Sequence, residues 1–235
     1  MNNIFQRTEN LIGKENLDKL HSATVAVFGV GGVGSYAVEA LARAGIGQLI
    51  LVDNDTYSIT NINRQLYATH SVIGEYKCEV AKRRISDINP DCVVKSYNVF
   101  FSPETSYEFE FSKYDYVVDA IDTVSGKIEL ILKCEEAKVP IISSMGAGNK
   151  LHPEMFDIAD IYETSVCPLA KVIRQELKKR NIKNLKCVYS KETPIKQFNN
   201  NDSNGKYIPS SISFVPSAVG LIIAGEVVRN LINLK

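Results

Sequence analysis

The sequence predicts an α/β fold: a doubly wound, mostly parallel sheet with a partly antiparallel C-terminal extension. Three observations predict it. From Thr24 to Lys150 apolar strands alternate with amphipathic helices, the pattern of a parallel sheet covered on both faces. The first of these strands ends in a glycine-rich turn. After Lys150 the alternation breaks, and Phe156 to Ile161 and Cys187 to Ser190 read as short, late strands of antiparallel type.

Before the first core strand, Leu11, Ile12, Leu17 and Leu20 suggest one or two amphipathic lead-in helices, and Arg7 stands alone as a solvated surface arginine. The β-branched run Thr24–Phe28 then enters Gly29-Val30-Gly31-Gly32-Val33-Gly34-Ser35. A helix from Tyr36 to Ala44 and a strand from Gln48 to Val52 follow, with Asp53 at the strand tip. Gly29, Gly31 and Gly34 fit the G-x-G-x-x-G spacing, and Asp53 stands about 20 residues on, where a ribose-binding acid belongs. The unit is Rossmann-like: glycines let backbone N–H groups approach phosphate oxygens, and the helix N-terminus adds a favourable dipole. A turn serving only tight strand–helix packing gives the same glycines, and the fingerprint does not choose between NAD and ATP.

The polar loop Asn54 to Gln65, holding Asp55, Asn61 and Arg64, lies at the carboxyl end of a strand, where ligands sit in open α/β sheets. A basic helix from Lys77 to Ile88 stops at Asn89-Pro90. Cys92 to Val99 is a third strand, Pro103 to Phe111 a short helix or turn, and Tyr114 to Ala120 a buried strand ending at Ile121-Asp122-Thr123. The helix Ser125–Ala137 and the strand Val139–Ser144 lead to the flexible Met145-Gly146-Ala147-Gly148. Leu169 to Arg180 reads as a helix with Pro168 at its start, and Phe198 to Gly205 as a flexible loop. Ser217 to Leu234 is an apolar helix; its most apolar part, Ala218 to Ala224, is short for a membrane span and Glu226 and Arg229 follow. No transmembrane span is expected, and the helix reads as core or dimer interface.

Lys+Arg equals Asp+Glu at 27 each, so a polyanion would need a local basic patch rather than a global field. The five cysteines form no C-x-x-C pair, which argues against a zinc knuckle or a redox motif. With no secretory leader at its start, the chain reads as cytoplasmic.

Asn61, Arg64, Lys77 and Asp122 gather downstream of the glycine turn. Hydride transfer needs none of them, whereas ATP chemistry needs cations on the phosphates and a carboxylate for magnesium. Singly, Lys77 reads equally as a solvated helix lysine, Arg64 as the partner of a loop acid and Asp122 as a helix cap; their combined placement favours ATP.

Gly31-Gly32-Val33-Gly34, Asp53-Asn54-Asp55, Asn61-Ile62-Asn63-Arg64-Gln65, Gly74…Lys77, Ile88-Asn89-Pro90 and Asp119-Ala120-Ile121-Asp122 occur in this order. Together they resemble the HesA, MoeB and ThiF family of ubiquitin-activating-type adenylating enzymes. The resemblance implies one adenylating domain over 1–235, with 1–150 binding ATP and 151–235 contributing substrate, tRNA and dimer contacts. It implies that Gly29, Gly31, Gly32 and Gly34 cradle phosphates, that Asp53 binds ribose with Asp55 beside it, and that Asn61, Arg64 and Lys77 contact the phosphates. Asp122 would hold Mg2+, and Arg7 would reach into the partner subunit's site of a homodimer. The zinc pairs and thioester cysteine of the sulfur-carrier-activating members have no counterpart. Instead Ser144 to Gly148, Ile161 to Leu177 and Val188 to Glu192 resemble the branch that dehydrates threonylcarbamoyladenosine in tRNA. That branch implies tRNA as substrate and, as in some relatives, a cysteine desulfurase and sulfur-acceptor system as partner.

Between Lys171 and Lys186 the sequence sets Lys171, Arg174, Lys178, Lys179, Arg180, Lys183 and Lys186 against Glu176 alone. Charge by itself reads as a solvated helix face, and the resemblance turns it into a tRNA-binding surface. Cys167, before Pro168 at a helix start, is either a small packing residue or a stabilised thiolate. The readings that compete with the dehydratase are an adenylating enzyme for a ubiquitin-like or sulfur-carrier C-terminus, an NAD-linked oxidoreductase and a nucleotide-sensing scaffold.

Overall fold

The computed structural model describes residues 4–195 and 209–234. The flexible loop expected at Phe198 to Gly205 lies outside them. Seven strands form one sheet: β1 (Thr24–Phe28), β2 (Gln48–Val52), β3 (Val93–Tyr97), β4 (Tyr116–Asp119), β5 (Ile141–Ser144), β6 (Phe156–Asp160) and β7 (Lys186–Ser190). Their order is β3-β2-β1-β4-β5-β7-β6. All neighbours are parallel except β6 and β7. The C-terminal extension is partly antiparallel, as expected: β7 pairs in parallel with β5 and antiparallel with β6.

The helices are α1 (Gln6–Ile12), α2 (Lys14–Ser22), α3 (Gly34–Ala44), α4 (Lys77–Ile88), α5 (Val124–Ala137), α6 (Pro168–Lys179) and α7 (Phe214–Leu231). Strand side chains alternate between two layers, as period-two geometry requires. Val25, Val27, Leu49, Leu51 and Val118 face the layer that includes α3 and α7. Ala26, Phe28, Ile50, Val52 and Val117 face Phe101, Phe109, Phe111 and α5. α3 ends on Gly45 in the left-handed region (φ 95°), a conformation glycine adopts without steric cost. α4 ends at Asn89, whose buried amide donates to the Ala42 carbonyl at 3.3 Å and so joins two helix ends.

α7 corrects one expectation. Taken over its 18 residues it is long and apolar enough to cross a membrane by length and composition. What marks it as a core helix is its packing. Val215, Val219, Ile223 and Val227 form a fully buried stripe at i, i+4, i+8 and i+12. Gly220 sits so close to α3 that a Cβ there would lie 2.4 Å from the Val33 carbonyl oxygen. The opposite side leaves Phe214 and Leu221 about half exposed.

Sheet order reverses between β1 and β4: β2 and β3 lie on one side, β5, β7 and β6 on the other. Ligands of doubly wound sheets bind outside the carboxyl ends at that switch point, and a cleft opens there.

Candidate nucleotide site

The cleft encloses about 610 Å³. Its floor is the turn after β1, and the four glycines divide into two kinds. A Cβ on Gly29 (φ 90°) would lie 2.5 Å from the Ala120 carbonyl oxygen, and one on Gly34 would strike the Gly29 carbonyl oxygen at 1.8 Å. These two are required for β1, α3 and β4 to meet. Gly31 has nothing nearer than the Gln65 amide nitrogen at 3.7 Å, and Gly32 lies under Pro216 and the Arg64 stem. Gly29, Gly31 and Gly32 line the cleft, while Gly34 is buried beneath it. Packing and cradle readings of the fingerprint therefore hold for different glycines.

Asp53 is fixed at the tip of β2. Its carboxylate accepts the Val30 N–H at 2.7 Å and the Asp55 N–H at 2.9 Å. Burial raises its pKa above the usual aspartate range, against the pull of Lys77 and these two N–H groups. Lys77 begins α4 and is 5% exposed, which removes the solvated-lysine reading. Its ammonium lies 2.7 Å from Asp55 and 3.8 Å from Asp53.

Asn61 closes a single 3₁₀ turn, Ile59–Asn61, where its side-chain oxygen accepts the Ser58 N–H at 3.0 Å. Part of Asn61 is thus committed to shaping the loop. Arg64 donates to the Thr60 carbonyl at 2.7 Å and to Asn63 Oδ1 at 3.0 Å. Among the described residues no carboxylate lies within ion-pair distance of it, so the loop-acid reading fails. Burial lowers its pKa, the sign of a cation short of counter-charge.

Asp122 is exposed on the cleft wall and does not cap α5, whose N-cap is Thr123 without a side-chain cap. Mg2+ is ordinarily bound by one or two carboxylates together with substrate phosphates, and Asp122 fits the protein's share of such a site. Among the described residues no cluster of three metal-ligating side chains exists.

The expected residues do not all converge. Asp53, Asp55, Asn61, Arg64, Lys77 and Asp122 line the cleft. Arg7 is exposed on α1, at the other end of the sheet: the preceding Phe5 packs on His21, and a second cavity there is lined by Phe5, His21, Gly45, Gly47 and Asn89. The basic patch is divided as well. Arg174 donates to the carbonyls of Ile161 and Thr164, both at 3.0 Å, and so holds a turn. Lys179 and Arg180 both pair with Glu176 at 2.6 Å, and Lys186 pairs with Glu226. Lys171, Lys178 and Lys183 are exposed. Cys167, at the start of α6, lies 4.0 Å from where a Cβ on Gly146 would stand, at the cleft end; α6 runs from there toward the amino ends of the strands. All five cysteines are buried. Burial pushes Cys92 up to about 11 and Cys187 up to about 12, and raises Cys78 and Cys134 further.

Sequence reasoning missed a buried ion pair behind the site. Asp119 and Lys127, both fully buried, lie 3.0 Å apart, and Lys127 also donates to the Ser144 carbonyl at 2.8 Å. This ties the tips of β4 and β5 together under Asp122; a lysine one turn into the helix after the Asp-Ala-Ile-Asp run was the available signal. Gln65 and Thr123 were also missed: both line the cleft, and Gln65 Oε1 and Thr123 Oγ1 are buried without a hydrogen-bond partner among the described residues.

Residues 5–235 match the ThiF family. A tRNA threonylcarbamoyladenosine dehydratase from Bacillus subtilis (strain 168) is 47% identical over 239 residues, covering 97% of this chain and 94% of its own length. The crystal structure of E. coli tRNA N6-threonylcarbamoyladenosine dehydratase, TcdA, in complex with ATP aligns with a TM-score of 0.89 at 33% identity, covering 97% of this chain and 93% of that one. The same protein in complex with AMP aligns with a TM-score of 0.88 over the same shares.

Proposed function

The chain belongs to the ThiF family, and from that premise we propose that it is an ATP-dependent tRNA threonylcarbamoyladenosine dehydratase. The observation that carries the reading is a 47% identity with such an enzyme over 97% of the chain, with a nucleotide cleft at the switch point of the sheet. The substrate carboxylate is a poor electrophile. Its oxygen attacks the α-phosphorus of ATP, pyrophosphate leaves, and a mixed anhydride with AMP remains. The carbamoyl group of the same side chain then attacks the activated carbonyl and expels AMP, closing a ring with net loss of one water. The nucleophile is already tethered, so proximity supplies much of the second step.

In this reading Gly31 and Gly32 offer backbone N–H groups to the phosphates, and Asp53 accepts a ribose hydroxyl. Arg64, lacking a carboxylate partner, and Lys77, turning from Asp55, meet the charge that develops at phosphorus; preorganised charge of this kind is often the largest catalytic contribution. Asp122 would hold Mg2+, which supplies charge neutralisation between phosphates when bound. No step requires an enzyme thioester, in keeping with five buried cysteines.

We extend the proposal to the assembly. Arg7 lies too far from the cleft of its own chain to act there, and a homodimer in which it enters the partner's cleft gives it a role. The half-exposed side of α7, with Phe214 and Leu221, suits that interface. We treat 1–235 as one adenylating domain working in the cytoplasm, its substrate tRNA held partly by Lys171 and Lys178, with a cysteine desulfurase and sulfur-acceptor system as a further partner.

The test is pyrophosphate release from Mg-ATP, with and without tRNA carrying threonylcarbamoyladenosine, followed by mass spectrometry of the nucleosides. Release that depends on the modified tRNA, with a mass loss of one water, is expected. Release driven instead by a carrier protein ending in Gly-Gly would overturn the reading.

A further inference from the structure

The lining of the cleft that holds Gly31 and Gly32 also includes Ala147 and Gly148, just past the tip of β5. No side chain there carries a charge into the cleft. Behind this segment lies Lys150, 4% exposed. Its ammonium donates to the Gly146 carbonyl at 2.9 Å and to the Gly148 carbonyl at 3.3 Å. Among the described residues it has no carboxylate within ion-pair distance. Burial disfavours its charge, with Glu192 and Cys167 opposing that at longer range; a buried lysine is costly to keep, so what it does to that turn needs a reason.

Peptide planarity supplies one. In a trans peptide the C=O and the following N–H point in opposite directions, and none of the described peptides is cis. With the Gly146 carbonyl drawn back onto Lys150, the Ala147 N–H points away from that lysine, on a residue that lines the cleft. Neither that N–H nor the Gly148 N–H makes a hydrogen bond among the described residues. Both residues are partly exposed along the cleft, so these two donors are open to a ligand. The surrounding frame is fixed. The Asn149 N–H donates to the Ser210 carbonyl at 2.7 Å, and the Ser210 N–H returns to Asn149 Oδ1 at 2.8 Å. Glu192 accepts the N–H groups of Leu151 and His152, each at 3.0 Å.

We propose that Ala147 N–H, with Gly148 N–H beside it, is a binding site for the substrate's carboxylate, and that Lys150 is the positioning residue that aims it. The ligand class is the carboxylate of an amino acid linked through nitrogen to a nucleoside. The site holds that carboxylate across the cleft from the phosphate cradle, and the same donors meet the oxyanion that forms when the activated carbonyl is attacked. This rests on the proposed function and names the part of the cleft that recognises the acyl substrate rather than the nucleotide.

The experiment compares the wild type, K150M and K150R in two assays: ATP affinity, and AMP formation with tRNA carrying threonylcarbamoyladenosine. K150M keeps the length of the side chain and loses both hydrogen bonds; K150R keeps a cation that reaches the carbonyls. Expected for K150M is an unchanged Kd for ATP with kcat/KM for the modified tRNA down about 100-fold, the scale of a lost oxyanion donor, and K150R recovering most of it. A second measurement needs no variant. With AMP bound, adding the free nucleoside threonylcarbamoyladenosine should move the Ala147 amide proton of the wild type downfield. A K150M enzyme with wild-type kcat/KM, or an Ala147 amide that does not respond to the nucleoside, overturns the proposal. A wild type that forms no AMP with modified tRNA overturns the functional reading instead.

Discussion

Arg64 and Arg180 are both cations that the sequence marks as phosphate contacts, and they lie at opposite ends of the sheet. Arg64, in the cleft, is half-buried, bonded to one carbonyl and one amide oxygen, and has no carboxylate within ion-pair distance among the described residues. Arg180 follows the last turn of α6 and is doubly held by Glu176, through its carboxylate and its carbonyl, with Lys179 on the same acid. Charge without a partner, kept at some desolvation cost, is charge reserved for a ligand. Charge satisfied by its own helix is mostly a property of that helix. The same contrast separates Asp122, exposed on the cleft wall, from Arg174, which holds the Ile161 turn.

The pair that supports the cleft end gives the largest expected effect. Asp119→Asn leaves Lys127 buried without its counter-charge, a loss of about 3–5 kcal/mol of stability, measurable by urea unfolding. The chain should lose ATP binding and cooperativity together. A variant as stable as the wild type would mean that the β4 and β5 tips are held by other contacts.

Next comes Arg64→Ala, which should lower AMP formation by roughly 100- to 1,000-fold with little change in melting temperature, because Arg64 supports no ion pair of the fold. Arg174→Ala should do the reverse. It strands the Ile161 and Thr164 carbonyls, lowers stability by about 1–3 kcal/mol, and leaves the salt dependence of tRNA binding as it was. If Arg174→Ala instead flattens that dependence, the contrast between reserved and satisfied charge is wrong for this helix.

The tRNA surface itself is a smaller effect and sharpens the contrast within α6. Each lost phosphate contact reduces the slope of log affinity against log salt by roughly one. Lys171→Ala and Lys178→Ala should each do so, whereas Lys179→Ala, whose ammonium is on Glu176, should change it less. Equal slopes for all three variants would assign the whole helix face to the RNA. Lys171 stands roughly 14 Å along the helix axis from Arg180, nearer the cleft, and should matter more to turnover than Lys178.

What was legible in the sequence follows the same division. Period-two and helical patterns located β1, β2 and α4, because local propensity and burial agree there. The late strands were visible, yet their order was not: that β7 inserts between β5 and β6 depends on long-range pairing that no local pattern encodes. In the cleft, Asp53, Lys77 and Asp122 were legible from strand tips and helix starts. Gln65, Lys127 and Lys150 were not, since their roles arise from burial that no local pattern encodes and, for Lys127, from a partner as distant in sequence as Ser144. The basic run after Lys171 was legible as charge only; whether a lysine is spoken for depends on where Glu176 and Glu226 point.

The smallest expected effect concerns Asp53, a cleft acid whose ionisation the fold resists. Burial raises its pKa above the ordinary aspartate range, so it takes up a proton earlier on acidification than an exposed aspartate does. A protonated Asp53 is a poorer acceptor for a ribose hydroxyl, and the affinity for ATP should weaken as pH falls through that raised value. Stability should move the other way. A carboxyl whose pKa is higher in the folded chain than in the unfolded one binds its proton more tightly when folded, so it costs stability while ionised and returns that cost on acidification. Titrating ATP affinity and unfolding midpoint in parallel on wild type and Asp53→Asn separates the two. Loss of both trends in the variant assigns them to Asp53, and persistence of the affinity trend would move the titrating group to the phosphates or to another cleft acid.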